Sequence, residues 1–327
     1  MSLPSDDISI GYFGKLSTRD DFVKAADDAL LINVMDEWLT HAMEKLSADP
    51  RWKIIYDEIA PIYFLVAATK MNKAVAGYLV ASRDQVERRF PFVSFGQLHV
   101  QKPEAFLPYA PIVLSNLWAR LDSQTSLAME SDDSAEALRQ LCSEDVAVDL
   151  NATSFQGVFT DFLISQTIGD LDGLMTKHEL GGSIRQLILA LGLLLHPVMA
   201  SGVSRLDKNL ILPLPDDSQN YISVATLWMQ IVSPFLLNAD FELAILLTKV
   251  NQAQVMVIGF DGASTNTLFS VMTPKLKNEA NIWFDDTSWV ESSIKDDYRL
   301  QQLSSYLDQP NLQLSTALAH FKETFLG

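Results

Sequence analysis

The sequence predicts an α+β protein with two domains, and three observations support this. Near-continuous apolar runs of strand length occur in pairs with short polar links between them, which is typical of antiparallel hairpins. Longer segments repeat apolar residues every three or four positions, which indicates amphipathic helices. The chain has 327 residues, about twice the length of an average domain.

We expect a mainly antiparallel sheet flanked by helices in the N-terminal domain. The second domain should be a helix-rich α+β unit with a smaller sheet. The predicted division is residues 1–125, a junction at 126–154 rich in Ser, Asp, Glu and Gln, and residues 155–327. Hydrophobic residues make up 48% of the chain, so each part can bury a full core.

The N-terminal part begins with a predicted strand at residues 8–14. A helix capped by Asp27 or Asp28 follows and ends before Asp49-Pro50. Its predicted buried face is Leu31, Val34, Met35, Trp38, Ala42 and Leu46. Four strands at residues 52–56, 63–69, 74–81 and 90–98, and a helix at 104–121, complete this part.

The second part alternates helices with strands. Predicted helices cover residues 155–170, 183–196, 223–236, 287–307 and 312–325. A strand at residues 210–214 and an apolar hairpin at 243–248 and 255–260 supply the smaller sheet. Residues 186–204 contain no charged side chain; we interpret them as a buried helix ending near Pro197, not an integral membrane segment.

The overall charge argues against several classes of partner. The chain has 24 basic and 41 acidic residues, a formal net charge of −17. A nucleic-acid backbone or an anionic membrane surface would therefore be repelled. One cysteine, Cys142, excludes an intrachain disulfide, and residues 1–7 lack the features of a signal peptide. These features lead us to expect a cytoplasmic protein.

No catalytic, cofactor-binding or metal-binding motif is recognisable. The sequence has no phosphate-binding loop, dinucleotide fingerprint, nucleophile elbow or zinc-protease motif. No two histidines lie three or four residues apart, the spacing expected of helical metal ligands. The histidines are His41, His99, His178, His196 and His320. We therefore expect no enzymatic activity, no cofactor and no metal.

Basic residues concentrate around residues 83–89. Arg83, Arg88 and Arg89 lie close together there, and Lys70 and Lys73 are not far along the chain. Such a cluster in an acidic protein could bind a carboxylate or phosphate group. It could equally be a charged loop whose arginines pair with Asp84 and Glu87. The sequence leaves both interpretations open.

Three blocks of the N-terminal part resemble the TagF family, also called ImpM, of type VI secretion-associated proteins. Residues 11–23, GYFGKLSTRDDFV, resemble the family pattern G-x-x-G-K-L-P-x-x-G-D-F-V. Residues 35–39, MDEWL, resemble W-D-x-W-L, and residues 82–92, SRDQVERRFPF, resemble P-S-x-D-x-V-G-R-x-F-P-L. Ser17, Asp20 and Glu87 depart from the pattern, the last two at positions where the family has glycine.

The resemblance implies a cytoplasmic, post-translational repressor of type VI secretion that acts by binding protein. The implied partner is the forkhead-associated scaffold protein of the system, or another of its components. Two other functions stay open: a structural or assembly subunit of the machine, and a hydrolase whose site converges Asp, His and Ser between the domains. The oligomeric state is not indicated.

The candidate binding surface follows from the two loop-forming blocks. If they lie at ends of one sheet, they form a single patch facing a partner. The predicted partner-binding residues are Tyr12, Phe13, Lys15, Arg19, Arg83 and Arg88. The residues predicted to shape the fold are Gly11, Gly14, Asp21, Phe22, Trp38, Asp84, Phe90 and Pro91.

Overall fold

The architecture is that of a computed structural model, which describes residues 6–143, 146–175, 182–273 and 279–327. The strands are β1 (Asp6–Ile8), β2 (Ile10–Gly14), β3 (Val23–Ala25), β4 (Ile62–Ala68), β5 (Lys73–Val80), β6 (Phe92–His99), β7 (Val146–Val148), β8 (Leu206–Pro213), β9 (Glu242–Val250), β10 (Ala253–Phe260) and β11 (Asn281–Trp283). The mixture of helices and mainly antiparallel strands confirms the predicted α+β class.

Helices are more numerous than strands in the described part of the chain. They are α1 (Ala29–Ser47), α2 (Trp52–Asp57), α3 (Pro103–Phe106), α4 (Ala110–Glu130), α5 (Ser134–Ser143), α6 (Thr153–Ser165), α7 (Ile168–Leu174), α8 (Ile184–Ser201), α9 (Tyr221–Val232), α10 (Thr265–Met272), α11 (Trp289–Ile294), α12 (Tyr298–Leu307) and α13 (Leu314–Leu326).

Nine strands from both parts of the chain form one continuous sheet. Their order is β11-β8-β10-β9-β4-β5-β6-β2-β3. The two predicted apolar hairpins, β4–β5 and β9–β10, lie side by side, and β4 pairs antiparallel with β9 from Tyr63↔Leu247 to Ala68↔Glu242. The strands after residue 155 thus extend the N-terminal sheet and do not form a smaller sheet of their own. The domain boundaries at 125 and 154 stay a prediction.

The sheet buries both faces, because successive side chains of a strand point to opposite sides. One face packs against α4 and α9, around the buried tryptophans Trp118 and Trp228, and α8 and α13 pack on α9. The other packs against α1 and α10 around Trp38. The indole N–H of Trp38 donates to the carbonyl of Ser264 at 3.3 Å, so this helix layer also joins the two parts of the chain.

Three local predictions are wrong. Val34, predicted to lie in the buried face of α1, is 48% exposed. Residues 52–56 form the helix α2, because Trp52, Ile55 and Tyr56 recur at helical spacing and pack on the core; so short an apolar run does not distinguish helix from strand. Helix α8 does not end near Pro197 but continues to Ser201. It stops at Gly202, whose φ of 67° is a conformation that glycine adopts without strain.

Helix α8 is long and apolar enough to cross a membrane by length and composition alone. Half of that stretch is buried inside the protein. Its apolar side chains, Leu187 and Leu191 among them, belong to the main core and lie against neighbouring helices. This packing agrees with the interpretation of α8 as a core helix.

We predict that the β4–β9 seam contributes strongly to stability. Leu246 in β9 is fully buried and lies opposite Phe64 of β4. Leu246→Ala should lower the free energy of unfolding by about 2–5 kcal/mol, because it loses apolar contact and leaves a cavity. Urea unfolding followed by circular dichroism measures this. The exposed Lys249 of the same strand is the control, and Lys249→Ala should change the value by less than about 0.5 kcal/mol.

Candidate functional site

Two loops carrying the motif blocks lie together at one end of the sheet. The first follows β2 and the second connects β5 to β6. The backbone N–H of Gln85 donates to the carbonyl of Arg19 at 2.9 Å, and the hydroxyl of Ser82 donates to the carbonyl of Lys15 at 2.6 Å. The structure therefore joins the two segments that the sequence analysis expected to form one patch.

Asp84 is the centre around which both loops are built. Its carboxylate is 0% exposed. Oδ2 accepts from Lys15 Nζ at 2.9 Å and from Arg88 Nε at 2.6 Å, while Oδ1 accepts from the backbone N–H groups of Val86 and Arg88 at 3.1 and 2.8 Å. One buried carboxylate thus accepts hydrogen bonds from both loops. These bonds offset the free-energy cost of burying its charge.

The surroundings of Asp84 favour its charged form. Burial by itself would raise the pKa of this carboxyl. The hydrogen bonds from Lys15 and from the backbone and side chain of Arg88 outweigh burial and hold the pKa well below its usual range. Asp84 therefore stays ionised and keeps both cations in place near neutral pH.

Glycines make the close approach of the loops possible. Gly14 has a φ of 140°, and a Cβ there would lie 2.2 Å from the carbonyl oxygen of Pro91. A Cβ on Gly11 would lie 2.9 Å from the carbonyl oxygen of Ala25. The contacts agree with the fold-shaping role predicted for Gly11, Gly14 and Pro91.

Three phenylalanines form an aromatic cluster beside Asp84. Phe22 stacks on Phe13 with ring centroids 5.4 Å apart and meets Phe90 edge-on at 4.9 Å. Lys15 Nζ lies 5.1 Å from the Phe22 ring centroid, within cation–π range. Phe13 and Phe90 are buried, whereas Phe22 is 41% exposed. The cluster anchors the first loop and leaves one ring available at the surface.

The predicted partner-binding residues divide into exposed and buried groups. Arg19 is exposed, and the side chains of Arg83 and Arg88 are 53% and 60% exposed. Tyr12 is half-buried and stacks on Phe92. Phe13 and Lys15, in contrast, are buried. Both therefore support the loops from the protein interior, and neither forms part of the exposed surface.

The structure adds an exposed apolar residue that the sequence analysis missed. Val86 is 62% exposed at the tip of the second loop. It sits one residue from Gln85, which is bonded to the first loop. Sequence alone offered one weak signal, an apolar residue inside a charged stretch. We call the exposed set Arg19, Phe22, Arg83, Val86 and Arg88 the Asp84 face.

The arginine cluster pairs largely with acids of the chain itself. Arg83 contacts Glu87 at 2.7 Å, and Arg88 contacts Asp84 and also donates to the carbonyl of Asp20 at 2.6 Å. Arg89 binds Asp57 through two hydrogen bonds of 2.8 and 2.6 Å. These contacts agree with the interpretation as a charged loop, and they hold the arginines in defined positions.

The remaining motif residues support the loops locally. Asp21 accepts a hydrogen bond from the backbone N–H of Phe22 at 2.8 Å. Glu87, where the family pattern has glycine, has a φ of 65°. A side chain in this left-handed conformation is strained, so the family's glycine has a physical reason at this position.

Candidate metal ligands do not come together in the described residues: no group of three or more His, Cys, Asp or Glu side chains could hold a metal ion there. His178 lies outside the described residues. A separate cleft contains Asp and Ser side chains but no His among its described lining residues, which differs from the Asp, His and Ser convergence that the hydrolase alternative expects.

We predict that Asp84 makes stability depend on pH at the acid end. Its folded-state pKa lies below the unfolded value of about 3.9, so its contribution is present above about pH 4 and is lost as pH falls through the folded-state value. Asp84→Asn should destabilise the protein near pH 7, and its difference from the wild type should shrink below about pH 4. Urea midpoints measured across this range test this, with Asp21→Asn as the exposed control.

We further predict that strain at Glu87 can be measured with two variants. Glu87→Gly and Glu87→Ala both lose the exposed pair with Arg83, but only glycine relieves the backbone. The glycine variant should be more stable than the alanine variant by about 1 kcal/mol. Equal thermal midpoints would contradict a strained conformation at this position.

Comparisons with known proteins identify the N-terminal part of the chain. Residues 11–144 match the family model of the TagF N-terminal domain, Type VI secretion system-associated. Among solved structures, the match with PA0076 from Pseudomonas aeruginosa PAO1 has 24% identity and a TM-score of 0.37, and covers 42% of this chain and 63% of that chain. The chain thus spans less than two thirds of that protein. No curated protein matches. Residues 11–144 thus form a domain of the TagF N-terminal type, which is type VI secretion system-associated.

Proposed function

We propose that the chain is a non-enzymatic, cytoplasmic regulator that represses type VI secretion after translation by binding a component of the secretion machinery. The observation that carries the proposal is the Asp84 face. Both motif blocks of the TagF N-terminal domain contribute to it, at residues 11–23 and 82–92. Together the two blocks form one surface, and the buried carboxylate of Asp84 holds it in place.

The composition of the face suits protein binding. Phe22 and Val86 present apolar groups, and Arg19, Arg83 and Arg88 surround them with charge and hydrogen-bond donors. Aromatic and arginine side chains are enriched among residues that dominate binding energy. Charge around an apolar centre adds orientation and partner selectivity.

The rigidity of the face lowers the cost of binding. Arg88 is fixed by Asp84 and by the carbonyl of Asp20, and Phe22 is fixed by its two ring contacts. Side chains already ordered in the free protein lose little entropy when a partner docks. The buried carboxylate of Asp84 therefore supports recognition without itself touching the partner.

The partner we propose is the forkhead-associated scaffold protein of the secretion system, or another of its components. Repression would be stoichiometric, since the chain would hold the partner away from the assembling machine. Excess partner should then restore secretion in cells that overproduce the chain. An enzymatic repressor would not be titrated in this way.

We predict that one substitution on the face abolishes repression. Val86→Glu places a charge at an exposed position that makes no core contact, so the fold should persist while the apolar centre is lost. Cells overproducing this variant should secrete type VI substrate at the level of cells without the chain. Immunoblotting of the culture medium measures the secretion, and pull-down with purified scaffold protein measures the binding.

The matched control is Val158→Glu on α6. Val158 is 63% exposed, close to the 62% of Val86, and lies in the second part of the chain. This variant should repress and bind like the wild type. Unaltered repression by Val86→Glu, or an equal loss in both variants, would contradict the proposed role of the Asp84 face.

A further inference from the structure

A cleft of about 550 Å³ opens on the sheet where the two parts of the chain meet. Its floor is formed by β4, β5 and β9 through Tyr63, Tyr78 and Leu247, and its walls by α4 and the start of α9. This volume is in the range of small-ligand sites. The cleft is separate from the Asp84 face, and no residue of that face lines it.

Aromatic rings form much of the cleft. Tyr63 lies between Tyr78 and Trp118, with ring centroids 5.1 and 6.0 Å away, and Tyr221 also lines the cleft. The indole N–H of Trp118 donates to the carbonyl of Phe64 at 3.2 Å, which fixes that ring in the wall. Rings held this way offer π faces and apolar surface to a ligand.

The carboxylate of Asp122 lies among these aromatic rings. Asp122 is half-buried, and its Oδ2 accepts from the hydroxyl of Tyr63 at 2.6 Å while Oδ1 accepts from Ser126 at 3.4 Å. Within the described residues it has no cationic partner. Burial first, and then Asp122, raises the pKa of Tyr63 and of Tyr78, so both tyrosines stay protonated beside the charged acid.

Two further charges lie in the lining. Asp216 adds a second carboxylate from the segment between β8 and α9, and Lys249 of β9 is the one cationic side chain among the described lining residues. The cleft therefore carries more negative than positive charge. A partly enclosed carboxylate surrounded by π faces is stabilised most by a ligand that brings its own positive charge.

We propose that this cleft binds an organic cation, an ammonium or guanidinium group attached to an apolar body. The cation would pair with Asp122, and the apolar body would lie against Tyr63, Trp118 and Tyr221. The charged group could be a free small molecule or a basic side chain on a partner's peptide, since the same chemistry recognises both. This proposal is independent of the function proposed for the Asp84 face.

Two matched ligand pairs test the proposal by isothermal titration calorimetry on the full chain. Choline is compared with its neutral isostere 3,3-dimethylbutan-1-ol, which tests a free cation. The peptide acetyl-Gly-Arg-Gly-amide is compared with its citrulline counterpart, which tests a basic side chain. We expect at least one cation to bind about tenfold or more tightly than its neutral twin, since a charge-assisted contact is lost in the twin. Equal binding within both pairs, or no binding by either cation, would overturn the proposal.

Two variants with opposite expected effects distinguish binding from a structural role. Asp122→Asn keeps an acceptor for Tyr63 but removes the charge, and should weaken cation binding about tenfold. Lys249→Glu removes a like charge from the rim and should strengthen it. Circular dichroism checks that both variants are folded, and Val86→Glu should bind the cation like the wild type. A change of the same sign in both cleft variants would contradict the electrostatic basis of the site.

Discussion

The antiparallel pairing of β4 with β9 is the constraint on which the rest of the structure depends. Its register fixes how the two parts of the chain align, from Tyr63↔Leu247 to Ala68↔Glu242. Because side chains alternate along paired strands, the register also decides which residues of both parts face the same helix layer. Helices α4 and α9 then cover one face together, and α1 and α10 the other. The cleft above the seam exists because the two hairpins meet there.

The Asp84 network solves a different problem, that of holding two irregular loops without a strand ladder. Burying a carboxylate is unfavourable unless its oxygens are fully used. Here one acid accepts from two cations and two backbone N–H groups. Breaking any one contact leaves the others with an incompletely paired buried charge, so the contacts depend on each other. These contacts thereby hold residues of both loops in one defined surface.

Local sequence patterns predicted the structural features that depend on residues close together in the chain or in a family motif. The apolar hairpins and the α1 cap at Asp28 follow from neighbouring residues. The role of Gly14 and the glycine position that Glu87 occupies follow from the family pattern. Most contacts between distant segments were not predictable in the same way, and the meeting of the two motif loops was expected only from the family resemblance. The single sheet depends on pairing between residues almost 180 positions apart, and the burial of Phe13 and Lys15 depends on a loop some 70 positions away. The cleft draws on six segments, none of which has a motif of its own.

The two strands at the edges of the sheet have a consequence for behaviour at high concentration. Both β3 and β11 are only three residues long, and β3 carries the exposed Lys24 at its centre. An edge this short offers few unpaired backbone groups to a neighbouring molecule, and a charged side chain there opposes stacking. The long apolar inner strands are thus covered at both edges of the sheet. They cannot readily pair with strands of a neighbouring molecule, which would lead to fibrils or strand exchange.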